Sequence, residues 1–190
     1  MNISKHYHHN TISFSQRISV AIPTLFLLAV FLSNSSEAAH NEKLVVLPFE
    51  IVDNTPVPGG QERNQKMLDK MTRYIAQKIE EKGLFKVVPQ DRVNETVKSA
   101  QLGTDIRNCN LCEYDLAKKV DGEKVMTGWI YKMSILVLTM HIEIKDIATQ
   151  QTFISKAYDF RGDNEKAWLR AADYMLRDLS EMMTPSTTRK

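Results

Sequence analysis

Two cysteines and five histidines are a thin supply of metal ligands and nucleophiles for a chain of 190 residues. Three of the histidines, His6, His8 and His9, stand in an amino-terminal stretch expected to be removed, which leaves His40 and His141. Two scattered histidines do not make a histidine zinc site, and a single Cys-x-x-Cys lacks the two further ligands that structural zinc needs. No metal and no cofactor are therefore expected. Neither sign of charge predominates, since 25 Lys and Arg face 23 Asp and Glu. Nucleic acid as a general partner would require a basic excess, so none is expected. The chain also lacks a Gly-x-Ser-x-Gly elbow, a Walker loop and a His-Glu-x-x-His. Those patterns would place a nucleophile, a phosphate cradle or a metalloprotease centre. No catalytic residue is assigned, and a non-enzymatic role is the expectation.

What is present begins with a run too short to cross a membrane. "VAIPTLFLLAVFL" covers Val20 to Leu32, thirteen residues against the roughly 20 that span a bilayer. Before it, residues 1–19 carry Lys5 and Arg17 and no acid; after it comes "SNSSEAA". A basic region, a short apolar region and a small-residue exit describe a secretory signal peptide. Cleavage is expected after Ala38, with Ser36 and Ala38 as the small residues before the cut. The expected organisation is a signal peptide over 1–38, a single domain over 39–183 and a flexible tail over 184–190. Loss of Lys5, Arg17 and Glu37 leaves 23 basic and 22 acidic residues, so the mature chain is almost neutral. The periplasm is the expected location, with no stable membrane span once the signal is gone.

"EKLVVLPFEIVD" (42–53) is apolar on both alternating sets, which predicts a strand covered on two sides. "NTPVPGGQ" (54–61) reads as an exposed loop. From Glu62 to Lys82, Met67, Leu68, Met71, Ile75 and Ile79 recur at helical spacing, and Gly83 supplies a stop. "LFKVV" (84–88) is a short strand and "DRVNETVKSA" (91–100) a short helix. Asn110 and Glu113 have the spacing of a capping box, which predicts a helix from Asn110 to Asp121-Gly122. "KVMTGWIYKM" (124–133) and "SILVLTMHIEIKD" (134–146) are two strands, with Leu136, Leu138, Met140, Ile142 and Ile144 on one face of the second. "TFISKAYDFRG" (152–162) is a third. A final helix, capped by Asp163 and ending at Met183, places Trp168, Leu169, Ala172, Leu176 and Leu179 together. The order β-α-β-α-α-β-β-β-α predicts an α/β, α+β-like fold. It is a mixed sheet of about five strands, a crossover unit followed by an antiparallel meander, with helices mainly on one face.

Three groups of residues are candidates for function. Cys109 and Cys112 would pair as a disulfide in an oxidising compartment and lock the start of a helix. The alternatives are thiol–disulfide exchange, favoured by the Cys-x-x-Cys spacing at a helix start, and part of a metal site. No strand leads directly into the motif, no Trp flanks it, and Glu113 stands where a haem attachment motif needs His. The staple is the preferred reading. Glu50 and Asp53 close the first strand, the end of an α/β sheet where ligands bind, but with no other sign of a substrate pocket the preferred reading is of caps and solvated turn residues. Arg63, Lys66, Lys70 and Arg73 share one side of the first long helix and could dock an acidic partner or a lipid surface, although such a stripe is more often a solvated face and Glu62 and Asp69 dilute it. The aromatic residues Trp129, Tyr131 and Trp168 read as core and rim, and His141 as a surface residue.

"VVLPFEIVDNT", "GLFKVV", "CNLCEYDLAKKV", "GWIYKMSILVLTMHIEIKDIAT" and "RGDNEKAWLRAADYML" together resemble a family of secreted bacterial proteins filed as a domain of unknown function, 2380/3280. The resemblance covers essentially the whole mature chain. The first half also resembles the amino-terminal domain of the periplasmic protein TolB. At residues 120–123 "Val-Asp-Gly-Glu" replaces the usual "Leu-Gly-Ala-Asp". The resemblance implies an α/β module that binds another envelope or periplasmic protein, or lends it an edge strand, and it implies no catalytic residue.

Overall fold

The computed structural model describes residues 41–101 and 106–184. The stretch read as a signal peptide and residues 185–190 of the tail lie outside them. In chain order the described elements are β1 (Lys43–Val46), β2 (Glu50–Asp53), α1 (Gly60–Glu81), β3 (Lys86–Val87), α2 (Gln90–Ser99), α3 (Cys112–Lys119), β4 (Lys124–Lys132), β5 (Val137–Asp146), β6 (Thr152–Arg161) and α4 (Glu165–Met183).

The strands form one mixed sheet in the order β3-β1-β4-β5-β6, with β2 also paired to β4. β1, β2 and β3 run parallel to their neighbours, and β4-β5-β6 is an antiparallel meander. The expected mixed sheet and the two-part topology are therefore present. The chain moves from β1 to β3 in one direction across the sheet and from β3 back to β4 in the other. Crossovers keep one hand, so α1 goes to one face and the α2–α3 pair to the opposite face.

The main core lies between the sheet and the two long helices. Leu44, Val46, Met126, Ile130, Met140 and Ile142 from the strands meet Leu68, Met71, Ile75 and Ile79 of α1 and Trp168, Ala172, Met175 and Leu176 of α4. A smaller cluster on the other face joins Val45, Leu47 and Val125 to Val93 of α2 and Leu116 and Ala117 of α3. That cluster explains why residues 44–47 are apolar on both alternating sets. Beyond it, Thr139, His141, Glu143 and Lys145 of β5 are half-exposed. His141 stacks on Trp129 with ring centroids 4.8 Å apart. Trp168 is buried in the main core, while Trp129 and Tyr131 stand half-exposed on the open face.

Four local expectations are corrected. The strand expected over 42–53 is broken: Val46 pairs with Met126 and Glu50 with Trp129. Four residues on one side thus oppose three on the other, a bulge at Leu47-Pro48-Phe49 that the missing N–H of Pro48 favours. Asn110 does not cap α3; Leu111 does so with φ of 64° and no side-chain bond. The Glu113 carboxylate accepts from Lys145 Nζ instead of turning back to the helix start. Asn164, not Asp163, caps α4 by accepting from Ala167 N–H, because Asp163 is engaged elsewhere. Leu136 is not on the buried face of β5; it is 65% exposed, in a hairpin turn whose apolar residues extend the strand's periodicity into the loop.

Candidate functional site

β4 carries a buried lysine at each end. Lys124 pairs with Glu42 and Asp146. Lys132, 0% exposed, lies between Asp53 at 3.2 Å and Asp163 at 2.8 Å. Strand alternation puts Lys132 on the core face with Met126 and Ile130, a parity legible in the sequence. Asp163 also receives Arg63 and the indole N–H of Trp168. Burial would lower the Lys132 pKa, but hydrogen bonds to Asp163 and Asp53 overcome this and raise it above the ordinary 10.5. Burial likewise opposes ionisation of Asp53. Thr55 N–H, Lys132 and Asn64 donate to its carboxylate and hold it below 3.8. One end of β2 is thus clamped to β4 and to the start of α4.

The bulge has its own clamp. Phe49 packs against Gly128, where an added Cβ would collide with the ring. The Phe49 N–H donates to the buried Thr72 hydroxyl of α1 at 3.0 Å. Here a glycine is required by close approach.

Beside β2 the sheet has no further strand among the described residues. β3 contributes two residues to the sheet. Val88 N–H still reaches the Leu44 carbonyl. The chain then leaves at Pro89 into α2, and the Gln90 side chain donates to the Val46 carbonyl at 3.2 Å. Beyond that point lies a groove of about 730 Å³, with residues 48–53 as its floor, α1 as one wall, and α2 with Ile106 as the other. This volume is ordinary for a ligand site. Its position follows from topology. The connection after β2 goes to one face and the connection after β3 to the other, so the two part company here, at the carboxyl ends of parallel strands. Such switch points are where open α/β sheets bind ligands.

The groove is lined by groups that remain partly unsatisfied. Asn64 is 4% exposed; its amide N–H bonds Asp53, while its Oδ1 has no partner among the described residues. Gln90 Oε1 is in the same condition. A buried polar atom without a partner costs about 1–3 kcal/mol, so both oxygens favour a ligand that brings donors. Backbone parity adds a third feature. Asn54 N–H bonds the Lys132 carbonyl, which turns the even-numbered residues of β2 toward β4 and the odd-numbered ones outward. The N–H and C=O of Ile51 and Asp53 therefore face the groove.

The residues singled out from the sequence fall around this feature. Glu50 and Asp53 line the groove, and both are held from within. Glu50 accepts from the backbone N–H groups of Ile106 and Arg107. Cys109 and Cys112 are joined, with Cα atoms 5.6 Å apart, and their loop follows directly on Ile106. Disulfide and Glu50 together set the wall opposite α1. The four basic residues singled out on α1 divide: Arg63 pairs with Asp163, Lys66 with Glu62 and Lys70 with Glu165. Arg73 lines the groove without an ion-pair partner among the described residues. Asn64, Thr72, Gln90, Lys132 and the edge of Ile51 were not singled out. Of these, only Lys132 left a signal, a cation on the core-facing parity of a strand.

Among the described residues, no group of three His, Cys, Asp or Glu comes together as a metal site, and no helix is long and apolar enough to cross a membrane.

The fold is similar to that of LpoB from Escherichia coli by its NMR structure, with a TM-score of 0.50, 11% identity, 85% of this chain covered and 81% of that one. Lipoprotein GNA1162 from Neisseria meningitidis gives 0.49 at 14% identity, over 77% of this chain and 99% of that one. TolB from Acinetobacter baumannii gives 0.42 at 13% identity, over 75% of this chain and 28% of TolB. At 11% identity the likeness to LpoB is one of fold alone. No curated protein matches the chain. Residues 42–179 match the family described as a protein of unknown function, DUF2380 (DUF3280), and the chain belongs to that family.

Proposed function

We propose that this is an exported, non-enzymatic module that binds another protein of the bacterial periplasm or cell envelope, and that the groove beside β2 is its binding surface. The observation that carries this reading is the coincidence of three features at one place. The topological switch point, an uncovered strand edge and buried side-chain oxygens without partners all meet in the groove. A hydrolase would need an acid or base free to act. The two carboxylates at the strand end are instead committed to backbone N–H groups and to Lys132. The disulfide belongs to the same design, since it shapes the loop that presents Ile106 to the groove.

The test is site-specific crosslinking in the native host. A photoreactive residue at Gln61 or Asn94, one on each wall, should give a discrete adduct with one envelope protein. The same residue at Lys156 of β6 should not. Identical adducts from all three positions, or none from the walls, would sink the proposal.

A further inference from the structure

The groove is built for a particular kind of occupant. Its floor presents the outward N–H and C=O of Ile51 and Asp53, two residues apart, which is the repeat of an extended chain. Phe49 N–H, bonded to Thr72, closes one end; Asp53, bonded to Asn64, closes the other. From Phe49 to Asp53 a strand rises about 13 Å. From Asn64 to Thr72 the facing helix rises about 12 Å, so floor and wall match in length. The vacated direction is that of β3, which stops after Val87 because Pro89 turns the chain away.

We infer that the groove takes an extended peptide segment of about four residues as an added strand in line with β3, pairing with the outer edge of β2. This rests on the protein-binding reading above and names the form of the ligand. Peptide N–H and C=O groups meet Ile51 and Asp53. Side chains on one face of the added strand reach Asn64 Oδ1, which calls for a donor. Those on the other face lie toward Gln90, Val97 and Ile106. Arg73, unpaired at the Phe49 end, selects an acidic side chain there. Neither a helix nor a lipid tail would use the row of outward backbone groups, since neither offers matching donors and acceptors along one edge.

The probes are hexapeptides selected from a phage-displayed random library on the purified mature chain and then synthesised. Affinity is read by fluorescence anisotropy. Methylating alternate backbone nitrogens of a selected peptide should weaken binding about tenfold or more in one register and little in the other, the loss of one or two hydrogen bonds. Ile51→Pro, which removes an outward N–H and leaves the bonds to β4 in place, should weaken the unmodified peptide about tenfold. Arg73→Glu should abolish any preference for an acidic residue. Because the methylated peptides are measured on the unaltered chain, the result stands even where Ile51→Pro perturbs folding. No enriched peptide, or peptides indifferent to methylation in both registers, would overturn strand addition. Peptides without an acidic residue, unaffected by Arg73→Glu, would overturn the role of Arg73. A crosslinked partner from the groove walls, bound equally by Ile51→Pro, would leave a protein-binding module and remove only the added strand.

Discussion

β1 and β2 run one after the other along the same neighbour, β4, yet among the described residues β1 has β3 on its far side and β2 has no strand there. β1 is consequently held by two ladders and by apolar packing on both faces. Its Leu44, Val45 and Val46 are all 0% exposed. β2 is half-buried along its length and depends on one ladder, the Phe49–Thr72 bond and the Lys132 cluster. One apolar run therefore yields two strands of different kinds. An uncovered strand edge is normally a hazard, and proteins shield it with charge, bulges or a covering element. Here it is recessed between α1 and α2, with a bulge at its start and a buried ion cluster at its end. A recessed edge of this kind has the form the proposed added strand requires.

The contrast can be broken most strongly at Lys132. Lys132→Ala leaves buried Asp53 without its cation and Asp163 with Arg63 alone, and should cost about 3–5 kcal/mol, measured by urea unfolding. Hydrogen exchange should then quicken in β2 before β1. A midpoint within error of the unaltered chain would mean that β2 does not rely on the cluster. At the bulge, Gly128→Ala drives a methyl into the Phe49 ring, and overpacking of this kind costs about 1–3 kcal/mol. Rescue by Phe49→Leu in the double variant would identify the ring as the cause. Replacing both cysteines with alanine opens a short loop, and loop entropy sets the loss at about 2 kcal/mol. The accompanying change should appear at Ile106 and the groove wall, with β1 unmoved.

Acid should act on the clamps in a graded way. Asp53 and Asp146 both have carboxyls held below 3.8, Asp53 against the opposing effect of burial and Asp146 chiefly by Lys124. Groups depressed on folding contribute stability that is complete above their unfolded pKa and is lost as pH falls through the folded value. Stability should thus be flat from neutrality down to about pH 5 and decline below about pH 4. Lys132, raised above 10.5, contributes in the opposite sense. Its share is complete at neutral pH and is lost only as strong base passes its folded value. The smallest effect involves no change in stability. The Ile51 amide should exchange faster than that of Val52, one residue on, because only the latter faces β4. Equal protection of the two in the free chain would mean that the edge is already paired.

Much of the architecture is legible from residue pattern. The helical spacing from Met67 to Ile79, the alternation from Leu138 to Ile144 and the Gly83 stop are local properties of the chain. Backbone geometry turns them directly into α1, β5 and a left-handed end at φ of 64°. The reading failed where side chains had a choice of partner. Asn110 and Glu113 have the spacing of a cap, but Lys145, 32 residues away, outbid the helix start for Glu113. Asp163 stands where a cap belongs, but the buried Lys132 and Trp168 claimed it and passed the task to Asn164.

The candidate site divides in the same way. Composition and spacing alone carry no metalloenzyme pattern, single out Glu50 and Asp53 at a strand end and favour a pairing of the cysteines, since these depend on residue type and near neighbours. The groove depends on where β3 stops relative to β2, on which edge Ile51 faces, and on Asn64 Oδ1 and Gln90 Oε1 meeting no partner among the described residues. Those are relations between residues tens of positions apart, set by sheet order, register and the hand of the crossovers. A sequence read along one dimension carries no distance between such positions. Only the folded chain, by closing those distances, sets a strand edge into a groove.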